Sequence, residues 1–169
     1  MRKLLALTAI ACAACGDPTE DRAVEALGGE APGVAPGPLH RPGQPCVTCH
    51  GESGVASGEF SVAGTVYFLL REDNPAPNVQ VRIKDITGDE VTTTTNEAGN
   101  FYVRTDEWRP VFPLQPSIRL GGLKKQMSTH IARAPSCADC HTSPPGPRSP
   151  GHIYIATSRA ELTDAGVGP

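Results

Sequence analysis

Aromatic residues are scarce in this chain, at 5% with one Trp, three Tyr and four Phe, which excludes a large aromatic-rich core. Long apolar runs are missing too. The longest mostly apolar stretch, residues 4–14, has eleven residues, about half of the ~20 that a helix needs to cross a bilayer. Positive charge is not in excess: 15 Lys and Arg stand against 18 Asp and Glu, for a net charge of −3. That balance offers no basic footprint for nucleic acid. The chain is instead rich in residues that break regular structure, with 18 Gly and 17 Pro, and it carries six Cys. At 169 residues it has room for one small domain with attached segments and many loops.

The cysteines are the most informative residues. Cys46-Val47-Thr48-Cys49-His50 recurs in the same five-residue form as Cys137-Ala138-Asp139-Cys140-His141. C-x-x-C-H is the attachment signal of c-type haem, in which two thiols add to the vinyl groups of the macrocycle and the adjacent imidazole ligates iron. If the segment is helical, Cys46 and Cys49 lie about one turn apart, so both sulfurs reach one edge of a flat ring while His50 turns toward the metal. Two C-x-x-C knuckles are also compatible with a four-thiolate zinc site or with two local disulfides. Neither alternative requires the histidine. With five His in 169 residues, a His after both knuckles arises by chance about once in a thousand such cases. The motifs therefore predict two covalently attached haems c, held by Cys46, Cys49, Cys137 and Cys140, with His50 and His141 as proximal ligands.

The N-terminus reads as an export signal, residues 1–14. Arg2 and Lys3 precede the apolar run, and Ala13-Ala14-Cys15-Gly16 places small residues around a cysteine. The pattern resembles a bacterial lipoprotein signal. That resemblance implies cleavage before a lipidated Cys15, with Cys12 as the alternative, and anchoring to a membrane on the periplasmic or cell-surface side. Export agrees with the haem motifs, because outside the cytoplasm unprotected thiol pairs tend to oxidise. Residues 15–45 then turn to Pro, Gly, Ala and acids, with eight Pro or Gly among residues 31–45. Such a segment buries too little to offset its ordering entropy, so a tether is expected, reaching about 30 Å as a coil and about 90 Å if extended as polyproline.

Residues 46–58 form the first haem-binding segment, and a β pattern starts immediately after it. Val62, Gly64, Val66, Phe68 and Leu70 share one strand face, and Val79, Val81 and Ile83 alternate with Gln80, Arg82 and Lys84. Asn74-Pro75-Ala76-Pro77 and Thr87-Gly88-Asp89 mark turns. Residues 91–95 are β-branched, Phe101-Tyr102-Val103 follows, and another strand fits residues 117–120. Five or more short strands over residues 59–121 predict a mainly β fold, a small antiparallel β-sandwich with short helical or loop haem-binding segments before and after it. Gly64-Thr65-Val66-Tyr67, Pro77-Asn78-Val79-Gln80-Val81-Arg82-Ile83 and Thr95-Asn96-Glu97-Ala98-Gly99-Asn100-Phe101 resemble the carboxypeptidase regulatory-like, or transthyretin-like, β-sandwich family. The resemblance covers about a third of the chain and implies a rigid accessory scaffold with no chemistry of its own.

Residues 122–169 are expected to hold the second haem-binding segment and a C-terminal tail. Leu123, Met127, Ile131 and Ala134 lie at helical spacing and predict a short helix ahead of Cys137. His152 opens an alternating stretch that suits a closing strand. The candidates for a sixth iron ligand are His130, placed first because that helix would carry it toward a haem, then His40, His152 and Met127. The expected activity is electron transfer by an exported, lipid-anchored dihaem cytochrome c, working with redox partner proteins. The rival readings are a non-haem surface module built on zinc knuckles and a haem enzyme subunit of peroxidase type. The latter needs an acid or base cluster that the sequence does not show.

Overall fold

The computed structural model describes residues 18–30 and 32–167. The export signal, with Cys12 and Cys15, lies outside the described residues. Seven strands form two sheets. The first has the order β4-β1-β7, made of β1 (Phe60–Leu69), β4 (Asn100–Arg104) and β7 (Ile153–Ala156). The second has the order β3-β2-β5-β6, made of β2 (Gln80–Lys84), β3 (Glu90–Thr94), β5 (Gln115–Leu120) and β6 (Leu123–Gln126). Every ladder is antiparallel except β1 with β7, which is parallel. The sandwich expected from the alternation is the observed fold, with one parallel closing strand.

Strand β1 organises the molecule. All of its residues after Phe60 are buried, on both faces, as expected of a central strand with cover on each side. Val62, Val66 and Phe68 meet Val81, Ile83, Phe101, Val103, Ile118 and Ile155 in one core. Strand β2 shows the complementary half-buried pattern, with Val81 and Ile83 inside and Gln80, Arg82 and Lys84 outside. Apolar burial on this scale contributes about 1.5–3 kcal/mol per large side chain before entropy is subtracted.

Two expectations change. Residues 123–134 do not form a helix. Gly121-Gly122 closes a two-residue hairpin, Gly121 takes φ +56°, and Leu120 pairs with Leu123, which makes residues 123–126 the edge strand β6. The glycine turn sets the local geometry and overrides the helical spacing. Beyond β6 the chain keeps to the same edge, where Ile131 and Leu114 exchange two backbone hydrogen bonds of 2.9 Å. The second change concerns the segment expected as a tether. It contains helix α1 (Pro18–Ala26) and is fastened to the sandwich further on: Asn96 Nδ2 donates to Pro38 O at 2.6 Å, Asn100 Nδ2 to His40 O at 2.9 Å, and Gly43 N to Thr65 Oγ1 at 2.8 Å. Amide and hydroxyl side chains of the sandwich, with Thr65 and Asn100 buried, supply the stabilisation that the Pro/Gly composition does not.

Candidate functional site

Both C-x-x-C-H motifs fold into the same local structure. Helix α2 (Val47–His50) is a single turn in which His50 N donates to Cys46 O at 2.9 Å, Cys49 N to Cys46 O at 3.2 Å and Thr48 N to Pro45 O at 3.0 Å. In the second motif, Cys137–Asp139 is a 3-10 turn. Its bonds run His141 N to Cys137 O at 2.9 Å, Cys140 N to Cys137 O at 3.2 Å and Asp139 N to Ser136 O at 3.2 Å. The spacing predicted one turn between the cysteines, and each motif makes one.

The match extends to the imidazoles. His50 Nδ1 lies 2.9 Å from Gly58 O, and His141 Nδ1 lies 2.9 Å from Gly151 O. A carbonyl only accepts, so each Nδ1 carries the proton and donates. Each Nε2 is then the basic nitrogen, oriented and available to a metal. Gly58 and Gly151 both adopt φ +85°, a left-handed conformation that glycine takes without the steric cost of a Cβ. These two glycines orient the motif histidines, and the motif pattern did not reveal them. Their only sequence signal is a glycine closing each post-motif loop just before a strand.

Strand β1 brings the motifs together. The first motif runs directly into it through Gly58 and Phe60. The second is an excursion from its edge: Ala63 N donates to Pro135 O at 3.0 Å, Ser136 bridges to Ala63, and the chain returns as β7 opposite Val66, Tyr67 and Leu69. Burial pushes the Cys46 thiol up to about 11 and the Cys137 thiol up to about 12. A smaller contribution at Cys137 comes from the neighbouring Cys46. The contact at Cys137 is close: a Cβ built on Gly64 would fall 2.8 Å from Cys137 Cβ and 3.0 Å from its Sγ.

The surroundings of the two motifs differ. Beside the first lies a cavity of about 690 Å³, lined by Val24, Leu27, Val55, Phe60 and Tyr102 together with His40, Cys46, Cys49 and His50. Its volume lies in the range of small-molecule pockets, and Glu30, Arg41 and Arg104 line it alongside the apolar side chains. His50 stacks on Phe60 at 4.1 Å between ring centroids, and Phe60 stacks on Tyr102 at 4.5 Å. The second motif is more embedded, with Cys137 inside the hydrophobic core. A more open hollow of about 560 Å³ lies elsewhere, over α3 (Arg159–Asp164) and the β5–β6 turn. Of its polar groups, Glu161 accepts from Thr157 N at 2.6 Å and Oγ1 at 2.7 Å, and Ser158 caps α3.

Of the candidate sixth ligands, His40 is brought to the first motif, with its ring centroid 6.1 Å from that of His50. His130 is exposed and, with β6 in place of the helix, the shared helix face that favoured it is gone. Met127 is half-buried and held through its backbone, with Gln115 Nε2 donating to its carbonyl at 2.7 Å. His152 is buried and stacked on Tyr67 at 4.0 Å, with its Nδ1 3.8 Å from Asp73 Oδ1. Cys46, Cys49, Cys137 and Cys140 are free thiols. Among the described residues no three His, Cys, Asp or Glu side chains converge as a bare ion would require. A haem asks for something else, two thiols along one edge and an oriented imidazole, and each motif has those groups. The chain matches no protein-family model, no curated protein and no solved structure.

Proposed function

We propose that the protein is an exported dihaem c-type cytochrome that transfers electrons between redox partner proteins, anchored to a membrane through a lipid on Cys15. The observation that carries this reading is the duplicated local geometry, in which each C-x-x-C-H turn ends in a histidine whose Nδ1 is tied to a left-handed glycine at 2.9 Å. A structural cysteine knuckle gains nothing from orienting that imidazole. Bound haem supplies a reversible one-electron iron couple. The chain's part is to hold it: Cys46, Cys49, Cys137 and Cys140 provide the covalent links, while Gly58 O and Gly151 O set the tautomer of His50 and His141. Phe60 and Tyr102 back the first imidazole and keep water from one side of it. The packing of both motifs against β1 favours a close redox pair over two independent centres. The sandwich then acts as the rigid frame that its transthyretin-like pattern implies.

The test is expression of the full chain alongside a haem c ligation system, followed by intact mass under denaturing conditions and an absorbance spectrum. Two retained haem masses with Soret and α bands are expected. A colourless chain of unmodified mass, or one that retains only zinc before denaturation, overturns the reading. Membrane fractionation of Cys15→Ala tests the anchor, with release expected.

A further inference from the structure

The His40 and His50 rings are spaced as two imidazoles on opposite sides of one metal would be. With metal–nitrogen bonds of about 2 Å and about 1 Å more from nitrogen to ring centre, two such rings have centroids about 6 Å apart. The observed separation is 6.1 Å. The 54° angle between the ring planes is compatible with that arrangement, since rotating either ring about the shared nitrogen–metal–nitrogen axis changes it freely. Both rings line the same cavity with Cys46 and Cys49. His50 Nδ1 is bonded to Gly58 O at 2.9 Å, whereas His40 Nδ1 is buried without a hydrogen-bond partner, with the Glu30 Oε1 carboxylate oxygen 3.3 Å away.

The backbone carrying His40 is held more firmly than a covering loop requires. Asn100 Nδ2 donates to His40 O at 2.9 Å and to Pro38 O at 3.3 Å, while Asn96 Nδ2 donates to Pro38 O at 2.6 Å. On the other side of His40, Arg41 takes φ +50° and donates to Glu30 Oε1 at 2.9 Å, Gln44 Oε1 at 2.9 Å and Gly28 O at 2.7 Å. Ordering a Pro/Gly-rich segment costs about 1–2 kcal/mol per residue in backbone entropy. A ligand position is a physical reason to meet that cost at this point in the chain.

We propose that His40 is the second axial ligand of the haem carried by Cys46 and Cys49, with Glu30 as its positioning residue and residues 32–45 as the strap that holds it in place. The proposal rests on the dihaem reading above. It makes the first centre bis-histidine and closed to added ligands, and it assigns the strap to one haem only.

The experiment uses the full chain loaded with haem, in the wild type, in His40→Ala and in a Cys137→Ala/Cys140→Ala variant that keeps the first site alone. Intact mass counts haems, and absorbance with low-temperature EPR reports spin state. A bis-imidazole low-spin spectrum is expected from the single-haem variant. His40→Ala should still carry two haems but lose low-spin character in one of them, bind CO there, and recover the spectrum with added imidazole. Glu30→Gln should shift the potential of that centre alone upward. Two undisturbed low-spin haems in His40→Ala overturn the assignment and leave the dihaem reading standing, whereas no haem in the wild type overturns the reading itself. Should His40→Ala fail to accumulate, His40→Met decides the matter: a thioether ligand raises the first potential, and an unchanged potential rejects the assignment.

Discussion

The two C-x-x-C-H motifs share a five-residue pattern, a backbone turn and a histidine–glycine bond of 2.9 Å, and they differ in what surrounds them. The first stands on a segment outside the sandwich, beside a cavity, with α1 and the His40 strap over it. The second is set into the edge of the first sheet, with Cys137 packed in the core against Gly64. The local arrangement that would present thiols and imidazole is thus independent of position in the fold. Solvent access, the opposing ligand and the coupling to stability are not. One motif is joined to the fold through the start of β1 and the His40 strap, the other through the core.

The largest expected difference comes from removing thiols. Cys137→Ser with Cys140→Ser should leave one haem in the intact mass and also weaken the fold, by about 1–3 kcal/mol for a hydroxyl buried in the core. Cys46→Ser with Cys49→Ser should remove the other haem at a smaller cost, because both residues are only half-buried. Mass and thermal unfolding of the pair check this, and equal destabilisation would break the contrast.

Next in size is Gly64→Ala. Its Cβ would meet Cys137 Cβ at 2.8 Å and Phe101 Cε1 at 3.0 Å, and overpacking of this kind costs about 1–3 kcal/mol. The second haem spectrum should change and the first should not.

A smaller and finer contrast is offered by the two glycines at φ +85°. Alanine at either position carries about 1–2 kcal/mol of left-handed strain. Gly151→Ala also drives a Cβ to 2.6 Å from Leu70 Cδ1 and 3.0 Å from Pro145 Cβ, whereas at Gly58 the obstacle is the mobile Arg104 guanidinium at 2.8 Å. Chemical denaturation should therefore rank Gly151→Ala below Gly58→Ala in stability. Each should perturb the spectrum of its own haem only. Phe60→Leu removes the ring stacked on His50, and a loss of about 0.5–1.5 kcal/mol with a shift in the first potential is expected.

The smallest effect on the contrast belongs to a residue of the frame. Asp85 is buried and accepts from Val111 N at 3.0 Å, Thr87 Oγ1 at 2.7 Å, Thr87 N at 2.8 Å and Asp89 N at 3.1 Å. The Val111 N–H, then the Thr87 hydroxyl, hold its carboxyl below the usual carboxylate range. Its stabilising contribution is present above the unfolded value of about 4 and is lost as pH falls through the lower folded value. Asp85→Asn should lower the melting temperature at neutral pH and flatten its fall below pH ~4. Both haems should be affected alike.

Much of this was readable in the residues themselves. The C-x-x-C-H turns, the alternation of Val79, Val81 and Ile83, and the closing strand after His152 depend on neighbours within a few residues, where chemistry and side-chain period act directly. What escaped depends on contacts distant along the chain. The helix expected over residues 123–134 yielded to a hairpin because pairing with β5 stabilised the alternative that Gly121-Gly122 permits. The N-terminal segment is fastened by Asn96 and Asn100, about 60 residues away.

By itself the sequence determined the sandwich pattern, the turn geometry of both motifs and the chemistry their side chains can perform, because each follows from local spacing and functional groups. Only the tertiary structure decided which glycine carbonyl orients each imidazole, that both motifs meet at β1, and that His40 rather than His130 faces His50. The reason is physical. A hydrogen bond or a stacked ring is selected by the free energy of closing a long loop onto a packed frame, and that free energy is a property of the whole chain.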